Sequence, residues 1–332
     1  MSLVKKLLVL LLSITVILLS SCNKFNDTNN LASQKTNINI AFLKGPTGLG
    51  ALKLIDDSKN GKTENNYNIS VLTDSNQVVA KVASGEVDIV ALPTNLASSL
   101  YNKSSADIEI LAINTLGVLY IVSDKSENIN NISDLKDKTL YATGQGAVPE
   151  YILNFILSNN AIDPQNDINI EYKSEHSELA SLVISGQSKV AMLPEPFVTQ
   201  IENKNANISK SINLTKEWDK SVNDGSSLTM GCLVVKREFA NNNKEAVNKF
   251  LNEYRESVNY INDDIDGASE LAEKYDIMPK NIAKDAIPGC NIVYIDGDDM
   301  KLKTDGFLNG LFKFNPKSIG GKIPSEDFYY KK

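Results

Sequence analysis

The sequence predicts an α/β protein of two similar lobes, each a mostly parallel sheet with helices on both faces. Three observations carry this prediction. "SGEVDIVALP" (residues 84–93) and "SGQSKVAMLP" (residues 185–194) lie 101 residues apart, and at that offset Ser, Gly, Leu and Pro coincide. The same offset places "NINIAFLKG" (37–45) on "KTLYATGQG" (138–146) and "NISVL" (68–72) on "NIEYK" (169–173), so three strand ends align in order. Finally, short apolar runs alternate with helical segments, the pattern of parallel sheets covered on both faces. A solenoid needs at least three copies, so two copies suit two lobes facing each other.

Taken in order, the chain opens on Lys5 and Lys6, then an apolar run over 7–19 broken by Ser13 and Thr15, then Leu19-Ser20-Ser21-Cys22. A basic start, a short apolar core and small residues at a cut form a secretory signal. The run is shorter than the about 20 apolar residues of a membrane-spanning helix. The ending resembles the lipobox of bacterial lipoproteins, which implies removal of 1–21 and a lipid on Cys22. Residues 23–37 are polar with little to bury and read as a flexible tether, reaching roughly 20 Å as a random coil. The folded part is expected from Ile38. It leaves about 295 residues, too many for one ordinary core and comfortable for two.

Each half reads strand, Gly-rich turn, helix, strand, helix, strand. The apolar spacing of Leu49, Leu52 and Ile55, and of Ile152, Phe155 and Ile156, predicts helices over 47–58 and 147–159. Further helices are expected over 75–84 and 177–185. Two long strand-like runs, 111–123 and 226–235, are read as paired crossing strands with a hinge near Gly117 and Thr229. The lobes then comprise 38–116 with 229–332, and 117–228. After Lys236 the chain is mostly helical: Phe250, Leu251, Tyr254, Val258 and Ile261 form one stripe, and 296–312 closes with Leu302, Leu308, Leu311 and Phe312.

Composition removes several functions. The formal charge is −7, and loss of Lys5 and Lys6 with the leader takes it to −9, which argues against nucleic acid as a partner. Beyond Cys22, Cys232 lies in apolar "GCLVV" and Cys290 in "IPGCN"; an extracellular setting permits a disulfide, but two separate core residues is the simpler expectation. The single histidine, His176, stands in polar "KSEHSEL" and reads as a solvated residue near a helix start. A His-based metal site or catalytic triad has little material, and no cofactor is expected.

With the lipoprotein start, "GEVDIVALPTN", "ISDLKDKTLYATGQGAVPEYIL" and "LPEPF", the sequence resembles the solute-binding proteins of ATP-binding-cassette importers, within the nitrate, sulfonate and thiamine-precursor group. The resemblance covers residues 38–312. It implies a two-lobed, periplasmic-binding-protein-like type II fold that closes on a small solute and delivers it to permease and ATPase subunits. It also implies a monomer, anchored by lipid at the extracytoplasmic face of the membrane.

Ligands of open parallel sheets bind beyond the carboxyl ends of the strands, and both Leu-Pro stops sit there. "KGPTGLGAL" (44–52) lacks the Gly-Lys-Ser/Thr of a phosphate loop, yet it and "TGQGAVP" (143–149) are Gly-rich turns opening helices, where free N–H groups face outward. They are either solute contacts or plain tight turns. Glu195, between two prolines, could accept hydrogen bonds from a solute amine or amide, or cap the helix that follows. Phe197 could stack on a planar solute or fill the core. Thr94 and Asn95 could cap a helix or touch the solute. The expected contacts are Lys44, Thr47, Gly48, Thr94, Asn95, Thr143, Gln145, Gly146, Glu195, Phe197 and Thr229. No Arg stands among them, which weakens a sulfonate or nitrate assignment; both a small organic solute and an oxyanion stay open. The rival readings are an enzyme on the same fold, acting on a pyrimidine-like or acid substrate, and a surface adhesin. Catalysis would need a positioned acid–base or metal set.

Overall fold

The structure, a computed structural model, describes residues 35–103 and 107–332; the expected leader, Cys22 and most of the expected tether lie outside the described residues. The first repeat runs β1 (Asn37–Leu43), α1 (Pro46–Leu49), α2 (Leu52–Lys59), β2 (Asn66–Leu72), α3 (Ser75–Ser84), β3 (Ile89–Pro93) and α4 (Thr94–Lys103), and ends in β4 (Ile108–Thr115). The second sheet opens with β5 (Leu119–Asp124). It continues through β6 (Thr139–Thr143), α5 (Val148–Asn159), β7 (Asn169–Lys173), α6 (His176–Ile184), β8 (Val190–Pro194), α7 (Phe197–Lys204), β9 (Ile208–Asn213) and α8 (Leu214–Ser221). The chain returns in β10 (Gly231–Lys236), followed by α9 (Arg237–Asn242), α10 (Lys244–Asp263), α11 (Ile265–Lys274), α12 (Lys280–Ala286), β11 (Ile292–Ile295) and α13 (Gly297–Phe314).

One sheet has the order β11-β4-β10-β3-β1-β2 and the other β7-β6-β8-β5-β9. The duplication is visible here. Parallel β2-β1-β3 is flanked by antiparallel β10, and parallel β7-β6-β8 by antiparallel β5. Within a repeat every connection is a helical crossover, which forces parallel pairing. The strands that follow a crossing run the other way, so each sheet is mixed outside its repeat.

The run 111–123 is two strands in two sheets, because the chain crosses between them at 116–118. The second crossing, 222–230, leads into β10, whose Gly231 pairs with Thr115 of β4. The crossings touch: a Cβ on Gly117 would stand 3.0 Å from Leu228 Cδ1. The single helix expected over 47–58 is broken between α1 and α2. Ser257 of α10 donates to the Gly50 carbonyl at 2.7 Å and accepts from the Leu54 N–H at 3.1 Å. A side chain 203 residues from Leu54 and 207 from Gly50 takes over those backbone groups, and apolar periodicity alone does not register it. Local signals account for other boundaries. Asp74 accepts from the Asn76 N–H to start α3, Gly85 at φ +73° ends it, and Asn213 accepts from the Thr215 and Lys216 N–H groups to start α8.

The core lies on both faces of each sheet. Phe42 of β1 stacks on Tyr254 of α10 at 6.3 Å between centroids, in the cluster beneath α2, α10 and α11. A second cluster runs from the opposite face through α13 into the other lobe, where Phe307, Leu308 and Leu311 meet Leu214 and Trp218. Tyr120, Leu179 and Val198 belong to a third, under α6 and α7. Cys232 and Cys290 are free, buried, and in different clusters.

Candidate functional site

The loops that leave the carboxyl ends of β1, β3 and β6 meet around one cavity of about 460 Å³, within the range of about 300–1,000 Å³ usual for small-molecule sites. Pro46 and Thr47 come from the turn after β1, Pro93 and Asn95 from the junction of β3 and α4. Gly146, Ala147, Val148 and Pro149 come from the turn that opens α5. The crossings supply Val118 and Met230, β4 supplies Thr115, α13 supplies Phe307, and a 3-10 turn over Pro316–Ile319 supplies Ser318. Residues from both lobes therefore wall the same space. None of these lining residues carries a charge.

Its polar groups are held by the fold. Buried Asn114 donates from Nδ2 to the Thr47 carbonyl and to the Tyr254 hydroxyl, both at 3.1 Å, and its Oδ1 accepts from the Thr115 hydroxyl at 3.2 Å. Asn95 Nδ2 donates to the Ser318 carbonyl over a long 3.4 Å. Among the described residues no side chain bonds Asn95 Oδ1 or the Thr47 hydroxyl, so an acceptor and a hydroxyl remain for a solute.

Of the expected contacts, Thr47, Asn95 and Gly146 come together here. The Gly146 backbone is nevertheless taken by α5 itself: its N–H donates to Glu150 Oε2 at 2.6 Å and its carbonyl accepts from the Tyr151 hydroxyl at 2.8 Å. The other expected residues stand elsewhere, each for a physical reason. Lys44 is ion-paired with Asp276. Gly48 is buried in the turn, where a Cβ would lie 2.3 Å from the Leu43 carbonyl oxygen, so close approach of the chain to itself accounts for the glycine. Thr94 and Thr229 are fully buried behind Asn95 and Met230, with the Thr94 N–H donating to the Met230 carbonyl at 3.2 Å. Gln145 is exposed and does not line the cavity.

Glu195 and Phe197 do not line the cavity. Glu195 is 2 % exposed and caps α7 by accepting from the Thr199 N–H at 3.1 Å. Its other oxygen lies 2.6 Å from Lys210 Nζ on β9. Burial works against the Lys210 ammonium, but the hydrogen bond and charge of Glu195, helped by Glu202, hold its pKa above the ordinary lysine value. Across the carboxylate is Gly289, where a Cβ would stand 2.7 Å from Glu195 Oε1; the neighbouring Tyr120 hydroxyl donates to the Gly289 carbonyl at 2.9 Å. Phe197 packs on the His176 ring at 5.3 Å between centroids. His176 is half-buried rather than solvated. Its Nδ1 and the Thr143 hydroxyl are 2.7 Å apart, and burial lowers its pKa against the pull of Glu175. Thr143 is thereby turned into its lobe. Burial also pushes the Cys232 thiol up to about 12 and the Cys290 thiol upward, which favours the protonated thiol in both.

Sequence reasoning missed Thr115, Val118, Met230, Phe307 and Ser318. Met230 adjoins the expected hinge residue Thr229, which was a usable signal. Phe307 lies one position from Leu308 in the apolar stripe of α13, and nothing local marks it as a cavity wall.

The profile of the family described as the phosphonate ABC transporter, periplasmic substrate-binding protein, matches residues 60–278. No curated protein matches the chain. Among solved structures it is similar to an ABC transporter protein from Parabacteroides distasonis, at 22% identity and a TM-score of 0.76, covering 90% of this chain and 100% of that one. It is also similar to the periplasmic aliphatic sulphonate binding protein SsuA from Escherichia coli, at 13% identity and a TM-score of 0.70, covering 90% and 93%. For the periplasmic nitrate-binding protein NrtA from Synechocystis PCC 6803 the values are 10%, 0.58, 89% and 84%. At these identities the likeness concerns the fold, which is the two-lobed binding-protein fold expected from the sequence.

Proposed function

Since the chain belongs to the family of periplasmic substrate-binding proteins of phosphonate ABC transporters, we propose that it captures one small solute in the cavity between its lobes and presents it to a permease and its ATPase. A lipid on Cys22 holds the protein at the extracytoplasmic face. The observation that carries this reading is the cavity itself, walled by the turns after three strands, where among the described residues Asn95 Oδ1 and the Thr47 hydroxyl have no side-chain partner. The lobes comprise 38–116 with 229–332, and 117–228, and they close about the crossings at Gly117 and Thr229. Two crossings side by side allow a hinge rotation without unfolding either sheet. Binding without catalysis is favoured because no His, Cys, Asp, Glu or Lys is among the lining residues, whereas acid–base chemistry needs such a group within hydrogen-bond reach of the substrate.

The test is native mass spectrometry of freshly purified protein, before and after incubation with a deproteinised cell extract. One retained small molecule per chain is expected. Protein that retains none and takes up none overturns the reading.

A further inference from the structure

We propose that the solute is uncharged, an apolar molecule of one or two rings carrying a hydrogen-bond donor, and that Glu150 excludes anions such as phosphonates, sulfonates and nitrate. This rests on the binding reading above and narrows it.

Four observations point the same way. Among the described residues no lysine or arginine lines the cavity, and Lys44, the cation expected there, is engaged by Asp276. A desolvated anion without a positive partner is strongly disfavoured. The N-terminus of α5 would be the natural substitute, since free N–H groups and the helix dipole attract anions there. Just ahead of it the chain's own carboxylate already stands, with Glu150 Oε2 accepting from the Gly146 N–H at 2.6 Å. An incoming anion would meet a like charge and an engaged donor together. The remaining surface is largely apolar, with Phe307, Met230, Val118 and Val148 among its walls. A cavity of about 460 Å³ has the volume of about 15 waters, ample for a ring. The available polar atoms, Asn95 Oδ1 and the Thr47 hydroxyl, suit a donor N–H or O–H.

Phe307 meets Trp218, the sole tryptophan, edge to face at 6.0 Å between centroids, so emission of that residue reports on the cavity. The probes are benzamide and benzyl alcohol against benzenesulfonate and phenylphosphonate, which share a ring and differ in charge. The neutral pair is expected to bind at least about tenfold more tightly than the anions, and Glu150→Gln to shift the phenylphosphonate-to-benzamide affinity ratio by about tenfold toward the anion. An anion binding as tightly as benzamide overturns the inference and leaves the solute-binding reading standing. A ratio unmoved by Glu150→Gln overturns the role of Glu150. Failure of every probe to bind either protein overturns the inference, and the retained-solute measurement then decides separately whether the binding reading falls with it.

Discussion

Replacing Lys210 by Met is expected to cost about 3 kcal/mol of folding stability. The Glu195 side chain is 0 % exposed and lies 2.6 Å from Lys210 Nζ. Removing one partner of a buried ion pair costs about 3–5 kcal/mol, because the other charge stays buried without compensation. The lower end applies for two reasons. The Thr199 N–H still solvates one oxygen of Glu195, and Lys210 is itself partly exposed, so its replacement recovers some desolvation. Methionine also keeps an apolar stem near the Tyr120 ring, over which Nζ now sits at 5.4 Å from the centroid. Urea denaturation with an unchanged m-value measures the loss. The control is Lys220→Met, whose pair with Glu217 has the lysine 70% exposed; exposed pairs contribute about 0–1 kcal/mol. Glu195→Gln keeps an acceptor for Thr199 while removing the charge, and should fall between them, at about 1 kcal/mol. The pH dependence has a fixed sign. The folded state holds the Lys210 proton more tightly than the unfolded chain, so the contribution is complete below the ordinary value of 10.5 and is lost as pH rises through the folded value. The stability gap between wild type and Lys210→Met should therefore be flat up to about pH 10.5 and narrow above that. A Lys210→Met loss no larger than that of Lys220→Met would refute the buried pair.

Gly117→Ala puts a methyl 2.2 Å from Thr215 Oγ1 and 3.0 Å from Leu228 Cδ1; it should lower stability by about 1–3 kcal/mol in a thermal melt, with part restored by adding Thr215→Ala. X-ray scattering of the wild type should show compaction when the retained solute is restored to stripped protein, and an unchanged profile counts against hinge closure. Asn95→Ala should weaken solute binding about tenfold to a hundredfold in calorimetry with little loss of stability, since among the described residues its side chain surrenders one bond, the 3.4 Å contact to Ser318. Cys22→Ala should release the protein from the membrane fraction, because stable anchoring takes about two acyl chains on or beside that residue; retention of the variant refutes the anchor.

The sequence by itself determined the duplicated architecture. Strand and helix periods, Gly85 at a helix end, and Leu-Pro at two strand ends are properties of neighbouring residues, and they recur at one offset. At that offset β3 and β8 coincide end to end, and parallel β2-β1-β3 answers to β7-β6-β8. Because sheets of this kind bind at their carboxyl ends, the turns holding Thr47, Asn95 and Gly146 were legible as well. Only the tertiary structure decided what each side chain meets there. "LPEP" looks the same in sequence whether its carboxylate faces a cavity or a lysine; β9 pairing with β5 brings Lys210 to Glu195, and the question ends there. Gly50 breaks a helix because Ser257 arrives from α10. Phe307 and Met230 become cavity walls because α13 and the second crossing pack back across both lobes. Local patterns are set by the period of the backbone, which a single segment displays in full. A side chain's partner is set by other strands and helices, from 15 to over 200 residues away in these cases, competing for the same buried space, and that competition is settled only when the chain closes on itself.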